Sequence, residues 1–238
     1  MSASAVAGSP LMSFQDALSY LPPKPVQEFA RKHTIYAADQ AGSHLYMVRS
    51  GRVVLSNSFD GNSPTVTRIV GPGGLFGEAA LVNGAPATET ASALDTTRVV
   101  SWTRAEIEQQ IGRSPRLGMA LQAYFAQRCI ELLTRIEALA FRKTKERVML
   151  ALVQLAEGLG MPAEGGLRLA PMTHQMIAEY VGTSREIVTS HMSEVRRMGL
   201  LEYNRKYIQV DVRGMREALR QEGIDLPRIE LPRARMAY

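Results

Sequence analysis

Hydrophobic patterning divides the chain into two regimes that meet near Arg104. From Pro25 to about Trp102, short apolar runs at 45–48, 53–55, 66–70 and 99–102 alternate with turn residues: Gly42-Ser43, Ser50-Gly51, Asp60-Gly61-Asn62 and Gly71-Pro72-Gly73-Gly74. Runs of this length with such breaks predict antiparallel strands closing into a roll. Beyond Arg104 the period lengthens. Phe125, Cys129, Leu132, Ile136 and Leu139 follow one another at steps of 4, 3, 4 and 3 residues, a heptad seam. The stretch 104–140, interrupted by proline only at Pro115, therefore reads as one long helix. Its seam points to pairing with a second copy of the chain, since symmetric dimers are the commonest oligomers. A helix lying on its own domain's core gives the same spacing, and that alternative stays open.

The C-terminal part shows a third pattern. Residues 141–144 form a junction, residues 147–158 an amphipathic helix, and residues 158–166 a glycine-bounded loop. Two short helices are predicted next, one capped by Thr173 and one by Thr183 or Ser184, with Gly182 in the turn between them. Apolar residues at 200–201 and 207–210 flank Tyr203-Asn204-Arg205-Lys206, which reads as a basic hairpin. Two helices about a glycine turn, followed by such a hairpin, make a winged helix-turn-helix. That motif lays the N-terminus of its second helix in the DNA major groove, where Ser184, Arg185 and Glu186 fall. Arginine can hold guanine O6 and N7 through two hydrogen bonds, and glutamate can accept from cytosine N4. Thr189 and Ser190 point the same way one turn on. Arg205 and Lys206 on the wing can meet phosphates as point charges. The competing reading is a surface ion pair between Arg185 and Glu186. The expected architecture is α+β. It has a tail with a short helix (1–24), an antiparallel β-roll (25–103), a dimerisation helix (104–140), a winged helix-turn-helix (141–226) and a C-terminal tail (227–238).

Charge supports a polyanion partner: 16 basic residues face 12 acidic ones from Arg142 onward, against 12 and 11 before it. The start of the chain carries no basic segment followed by an apolar run, and no stretch reaches the roughly 20 apolar residues of a membrane helix. A cytoplasmic location without membrane association is expected. With Cys129 as the single cysteine, a disulfide within the chain and a thiolate cage for zinc or an iron–sulfur cluster are excluded. His33, His44, His174 and His191 show no metal-ligand spacing, and no Ser-His-Asp or Cys-His pattern appears, so no catalytic residue or metal site is expected. Cys129 lies on the seam, where two-fold symmetry brings equivalent positions face to face. It is a candidate for a redox-sensitive intersubunit bond; the plainer reading is a buried small thiol.

The order of these segments resembles the family of the cyclic-AMP receptor protein and the fumarate–nitrate reductase regulator (CRP/FNR), over about residues 25–219. Three segments carry the resemblance: Leu45-Tyr46-Met47-Val48-Arg49-Ser50-Gly51-Arg52-Val53 in the roll, Gly73-Gly74-Leu75-Phe76-Gly77-Glu78-Ala79-Ala80-Leu81 as a phosphate-binding cassette, and Val181-Gly182-Thr183-Ser184-Arg185-Glu186-Ile187-Val188 at the recognition helix. It implies a homodimer that reads a palindromic double-stranded DNA site, with RNA polymerase as a further partner contacted in the region of residues 158–166. It also implies phosphate contacts from Thr173, His174 and Gln175. Ser190 stands where the cyclic-AMP receptor protein has a second base-reading arginine, so a related but altered half-site is expected.

The implied effector pocket comprises Gly77, Glu78, Thr88, Glu89 and Thr90. Two departures argue against cyclic AMP. Thr88 or Glu89 falls where the family places an arginine on the cyclic phosphate, and a carboxylate repels that group. Leu132 and Leu133 stand where the dimer helix offers hydroxyls to the adenine. Glu78 is either a ligand contact or a structural hydrogen-bonding residue of the turn. An unidentified small effector remains compatible with the pocket. Haem, which would need an imidazole or thiolate ligand in the roll, finds only His33 and His44. No cofactor is expected. Two rival readings are a cyclic-nucleotide-type binding module that does not touch DNA and a cupin-like metalloenzyme; the wing and the sparse histidines weigh against them.

Overall fold

The computed structural model describes residues 20–58, 64–82 and 85–225. Most of the expected N-terminal tail and short helix (1–24), all but residues 20–24, together with the expected C-terminal tail (227–238) and the Asp60-Gly61-Asn62 turn, lies outside the described residues. The N-terminal half holds eight strands: β1 (Gln27–Phe29), β2 (Thr34–Tyr36), β3 (His44–Ser50), β4 (Val53–Asn57), β5 (Thr65–Val70), β6 (Leu75–Phe76), β7 (Thr90–Ala93) and β8 (Thr97–Thr103). They form two antiparallel sheets, ordered β1-β8-β3-β6 and β2-β7-β4-β5. Successive side chains of a strand face opposite ways, and β3 uses both faces. Val48 joins Val53, Leu55, Val70, Phe76, Ala91 and Val99 in one buried cluster. Leu45 and Met47 join Leu75, Val100 and Trp102 beneath the helices.

The segment 104–140 is two helices rather than the single one expected: α1 (Arg104–Arg113) and α2 (Pro115–Phe141). Ser114 between them is extended, at φ −139° and ψ 91°, because a residue preceding proline is pushed out of the helical region. Proline then opens α2, where its missing N–H costs nothing. A capping box between Thr103 and Glu106 starts α1. Ile107, Leu117, Leu121 and Tyr124 bury this helical pair against the roll.

On α2 the five seam residues divide. Phe125 packs partly against the core beneath the roll, its ring edge-on to Tyr124 at 5.6 Å. It is half-buried, whereas the seam positions that follow it are exposed. Leu132, Leu133, Ile136 and Leu139 are 46–64% exposed, Ile130 and Phe141 are exposed beside them, and Cys129 is a free, exposed thiol. The far half of α2 is therefore apolar and uncovered within one chain.

The C-terminal half comprises α3 (Thr144–Leu159), β9 (Met161–Ala163), β10 (Gly166–Leu169), α4 (His174–Val181), α5 (Arg185–Arg197), β11 (Leu201–Tyr203), β12 (Ile208–Val210) and α6 (Val212–Gln221). The stretch read as a loop, 158–166, is instead the end of α3 and a hairpin whose strand β9 forms the sheet edge in the order β11-β12-β10-β9. Pro162 hid it in the sequence, but an edge strand tolerates a residue without an N–H. The wing, β11 paired with β12, forms where expected.

The two halves share a core: Val66 and Ile69 of β5 belong to the same buried cluster as Leu152, Ile177, Val188 and Met192. Two arginines tie across the boundary. Arg52 is bidentate to Asp95 (2.6 and 3.1 Å) and donates to the carbonyls of Ala170 and Pro171, each at 3.3 Å. Arg135 of α2 donates to the Thr67 carbonyl of β5 and, at 2.9 Å, to the Tyr180 carbonyl of α4. Its guanidinium also sits 4.4 Å from the Tyr180 ring centre. Arg135→Ala is expected to lower unfolding stability by about 1–3 kcal/mol, the scale of a few charge-assisted bonds. Urea titration checks this; an unchanged midpoint would show that these bonds do not hold the halves together.

Candidate nucleic-acid interface and effector pocket

Local hydrogen bonding builds the helix-turn-helix. Thr173 Oγ1 accepts the Met176 N–H at 3.1 Å and opens α4. Gly182 closes α4 at φ 74°, a left-handed conformation that glycine adopts without strain. Arg147 of α3 donates to the carbonyls of Val181 (2.6 Å) and Gly182 (2.9 Å), satisfying the end of that helix. Of the two cap candidates for α5, Ser184 takes the role, accepting the Ile187 N–H at 3.3 Å. Val188, Met192 and Val195 bury one face of α5. The opposite face leaves Arg185, Glu186, Thr189 and Ser190 exposed.

These groups are partly organised before any ligand arrives. Glu186 is held below the usual carboxylate range chiefly by its own backbone N–H and by the Ser184 hydroxyl; the charge of Arg185 is the smallest cause. The Thr189 hydroxyl donates to the Arg185 carbonyl at 2.8 Å and meets His174 Nδ1 at 2.8 Å. It is thus bonded to α4 and its own helix, a back-bond typical of helical threonine, while staying exposed beside Ser190. Burial, and then the charge of Arg185, lower the His174 pKa. The His174 ring stands edge-on to Tyr203 at 5.4 Å, and Arg196 lies 5.2 Å over the same tyrosine. The start of α4, the face of α5 and the wing therefore make one surface, with Thr173 and Gln175 exposed at its margin. Arg205 and Lys206 stand exposed at the wing tip, where Asn204 Oδ1 accepts the N–H groups of Lys206 (2.7 Å) and Tyr207 (3.1 Å). Arg196 and Tyr203 were not singled out in the sequence. The 11-residue step from Arg185 to Arg196 equals about three helical turns, a signal sufficient to place both on one face.

The cassette is arranged around a residue the sequence reading passed over. Arg68 of β5 donates to Glu78 Oε1 at 2.7 Å and also bonds the Leu75 carbonyl and the Tyr124 hydroxyl. Tyr124 in turn accepts the Leu75 N–H at 2.9 Å. Glu78 thus ties a neighbouring strand, and Arg68 links that strand, the cassette and α2. The only sequence signal was a charge inside the apolar run 66–70, which in a buried strand demands a partner. Gly77 turns the chain at φ 83°, with a Cβ there meeting the His44 carbonyl oxygen at 2.6 Å.

Glu89 Oε2 accepts the Thr67 hydroxyl at 2.7 Å. Burial, with Glu78 nearby, raises its pKa against that bond. Thr90 Oγ1 accepts the Ala38 N–H at 3.1 Å, and Thr88 is exposed. His33 lies by Phe29, and His44 meets Ser43. Among the described residues no group of three or more His, Cys, Asp or Glu side chains is placed to hold a metal, and no helix is long and apolar enough to cross a membrane.

The fold and this surface define a class: a roll of the cyclic-nucleotide-binding type carrying a winged helix-turn-helix. Comparison with known proteins agrees. The cyclic nucleotide-binding domain family matches residues 26–114, and the Crp-like helix-turn-helix domain family matches residues 146–218. The chain is 31% identical to the transcriptional regulator SdrP of Thermus thermophilus, over 75% of this chain and 85% of that protein. It is 28% identical to a CRP-like cAMP-activated global transcriptional regulator of Mycobacterium tuberculosis, over 77% and 82% of the two chains. Its fold is similar to that of FixK2 from Bradyrhizobium japonicum, with a TM-score of 0.72 at 21% identity, covering 87% of this chain and 99% of that one. The chain belongs to the CRP/FNR family and is a DNA-binding transcription regulator.

A carboxyl whose folded pKa is raised favours folding below its ordinary range, and that contribution is lost as pH climbs through the raised value. Glu89→Gln, which keeps an acceptor for Thr67, is therefore expected to gain stability relative to the unsubstituted protein between about pH 4 and about pH 7. Thermal melts across that range check it; a stability difference that does not change with pH would contradict the raised pKa.

Proposed function

We propose that the chain acts as a homodimer reading a palindromic DNA site, under the control of a signal other than cyclic AMP. The observation that carries this reading is the shared exposed surface of α4, α5 and the wing, with Arg185 and Glu186 foremost. Arg185 serves as the guanine reader and Glu186 as the cytosine acceptor. Ser190, short and exposed, leaves the second arginine position of the cyclic-AMP receptor protein unfilled, so the half-site differs. Thr173, His174, Gln175, Arg205 and Lys206 contact phosphates and set the register. RNA polymerase is the further partner that the family membership brings, with the β9–β10 hairpin region as the contact.

Dimerisation follows from the uncovered apolar side of α2, which a second copy of the same helix would bury. Control by cyclic AMP is disfavoured by the chemistry of the cassette. The arginine nearest Glu78 is already paired with it, Glu89 would repel a phosphodiester, and Leu132 and Leu133 offer an adenine no hydrogen bond. The signal is then either another small effector in the roll, near Glu78, Thr88, Glu89 and Thr90, or oxidation of Cys129 across the dimer. No resident cofactor is required for either.

Selection from random duplex DNA with the reduced, effector-free protein tests the function directly. The expected result is a palindrome with half-site centres roughly 34 Å apart. Arg185→Ala should lose roughly 1–3 kcal/mol of discrimination at one base position; an unchanged sequence logo would refute the assignment. Leu133→Glu with Ile136→Glu is expected to give a monomer by analytical ultracentrifugation and to weaken DNA binding, while a dimer that persists would place the interface elsewhere. After mild oxidation, a dimer band on a non-reducing gel that Cys129→Ser removes would assign control to Cys129; monomer alone would assign it to the effector.

A further inference from the structure

His174 opens α4 on the DNA-facing surface, and its hydrogen bonds fix which ring nitrogen carries the proton. Thr189 Oγ1 lies 2.8 Å from the Arg185 carbonyl oxygen and 2.8 Å from His174 Nδ1. A hydroxyl has one proton to give, and the carbonyl, which has none of its own, receives it. The Thr189 oxygen therefore accepts from His174, and Nδ1 carries an N–H. In the neutral ring the other nitrogen, Nε2, is then an acceptor only. Among the described residues Nε2 has no hydrogen-bond partner, yet it is not buried. It is open to whatever meets this surface.

The groups around the ring keep it neutral near pH 7 in the free protein. From α5, Arg185 faces it with a positive charge. From β11, the Tyr203 ring stands edge-on at 5.4 Å, and Arg196 of α5 lies over that same tyrosine. On α4 itself, Glu179 accepts from Gln175 at 2.9 Å. Burial, and then Arg185, lower the His174 pKa, and among the described residues no carboxylate opposes them.

A phosphodiester offers only acceptors. Against the neutral ring it sets lone pair against lone pair at Nε2. Against the imidazolium it receives an N–H and meets a positive charge, a charge-assisted bond. Protonation at Nε2 leaves the Nδ1–H bond to Thr189 intact, so neither α4 nor α5 has to move.

We propose that His174 holds a DNA phosphate through Nε2 as the imidazolium, each half of the dimer taking up one proton from solvent as it binds, a step that rests on this surface meeting DNA. The coupling is reciprocal: DNA strengthens proton binding, and the proton strengthens DNA binding by the same factor. Affinity therefore rises as pH falls, and levels off below the lowered pKa of the free ring.

The test is fluorescence anisotropy of the full chain at fixed low salt, from about pH 8 to about pH 6, the range in which histidine changes charge. Two labelled duplexes are used, the selected palindrome and a random sequence. The expected tightening is up to about tenfold per pH unit for each half-site, the slope of one proton taken up. His174→Gln, which presents an amide donor at every pH, should give a flatter profile. A slope as steep in the variant as in the unsubstituted chain would overturn the proposal. NMR titration of the ring in the unsubstituted chain decides the matter even if the variant fails to fold. The His174 pKa should climb once duplex is added, and a value unchanged by bound DNA would overturn the proposal as well. Phosphate contacts carry no sequence information. The random duplex therefore reports the slope even where selection recovers no palindrome, and a failure of base reading is not mistaken for a failure of the proton-linked contact.

Discussion

Arg135 donates from α2 to the Thr67 carbonyl of β5 and to the Tyr180 carbonyl of α4. Through those bonds, the helix that carries the uncovered apolar side also fixes where the DNA-reading half stands. Arg52, held by Asp95, makes the second tie just before α4 begins, at Ala170 and Pro171. Both guanidinium groups use backbone carbonyls as acceptors. The ties therefore depend on where the chain runs more than on which side chains line it. The shared apolar cluster of Val66 and Ile69 with Leu152, Ile177 and Val188 makes the same boundary a packed one. A regulator built this way does not carry its reader on a loose tether. Any signal must exchange one packed arrangement for another, by no more than its difference in affinity for the two.

Arg68 changes how the cassette is understood. A cation in that position bridges β5, the cassette turn through Glu78 and Leu75, and α2 through Tyr124. These are the elements an effector in the roll pocket would have to link. Here the chain links them itself, by a partly buried ion pair; removing Glu78 would leave the more deeply placed Arg68 without its carboxylate. Glu89, pushed toward its neutral form chiefly by burial, belongs to the same logic: it lies within reach of both Arg68 and Arg128, which are paired with Glu78 and Glu131.

The sequence carried much of this. Strand runs, the turn at Gly182, the caps at Thr173 and Ser184 and the wing were all legible, because each rests on local chemistry: period, left-handed glycine, or a hydroxyl at a helix start. The misses share another cause. The break at Ser114 was written in Pro115 but outweighed by a continuing apolar period. Strand β9 was hidden because Pro162 looks unlike a strand until the edge position is known. Phe125 keeps the seam's spacing and is half-buried against its own core, since a heptad step tells which residues share a face but not what covers it. Arg68 and Arg135 were invisible as functional residues, because their partners lie far along the chain and are mostly carbonyls, which no residue type announces.

The DNA-facing surface shows where specificity and affinity separate. On α5, Arg185, Glu186, Thr189 and Ser190 are exposed and capable of reading a base edge. Glu186 stands in the first turn of α5, where its own backbone N–H and the Ser184 hydroxyl hold its carboxyl below the usual range. Arg196, Arg205 and Lys206 border this group and supply charge without base chemistry. Such contacts strengthen binding to every sequence alike and weaken with salt. Base discrimination and general affinity thus rest on different chemistry: hydrogen-bonding side chains at the exposed start of α5, and point charges around them.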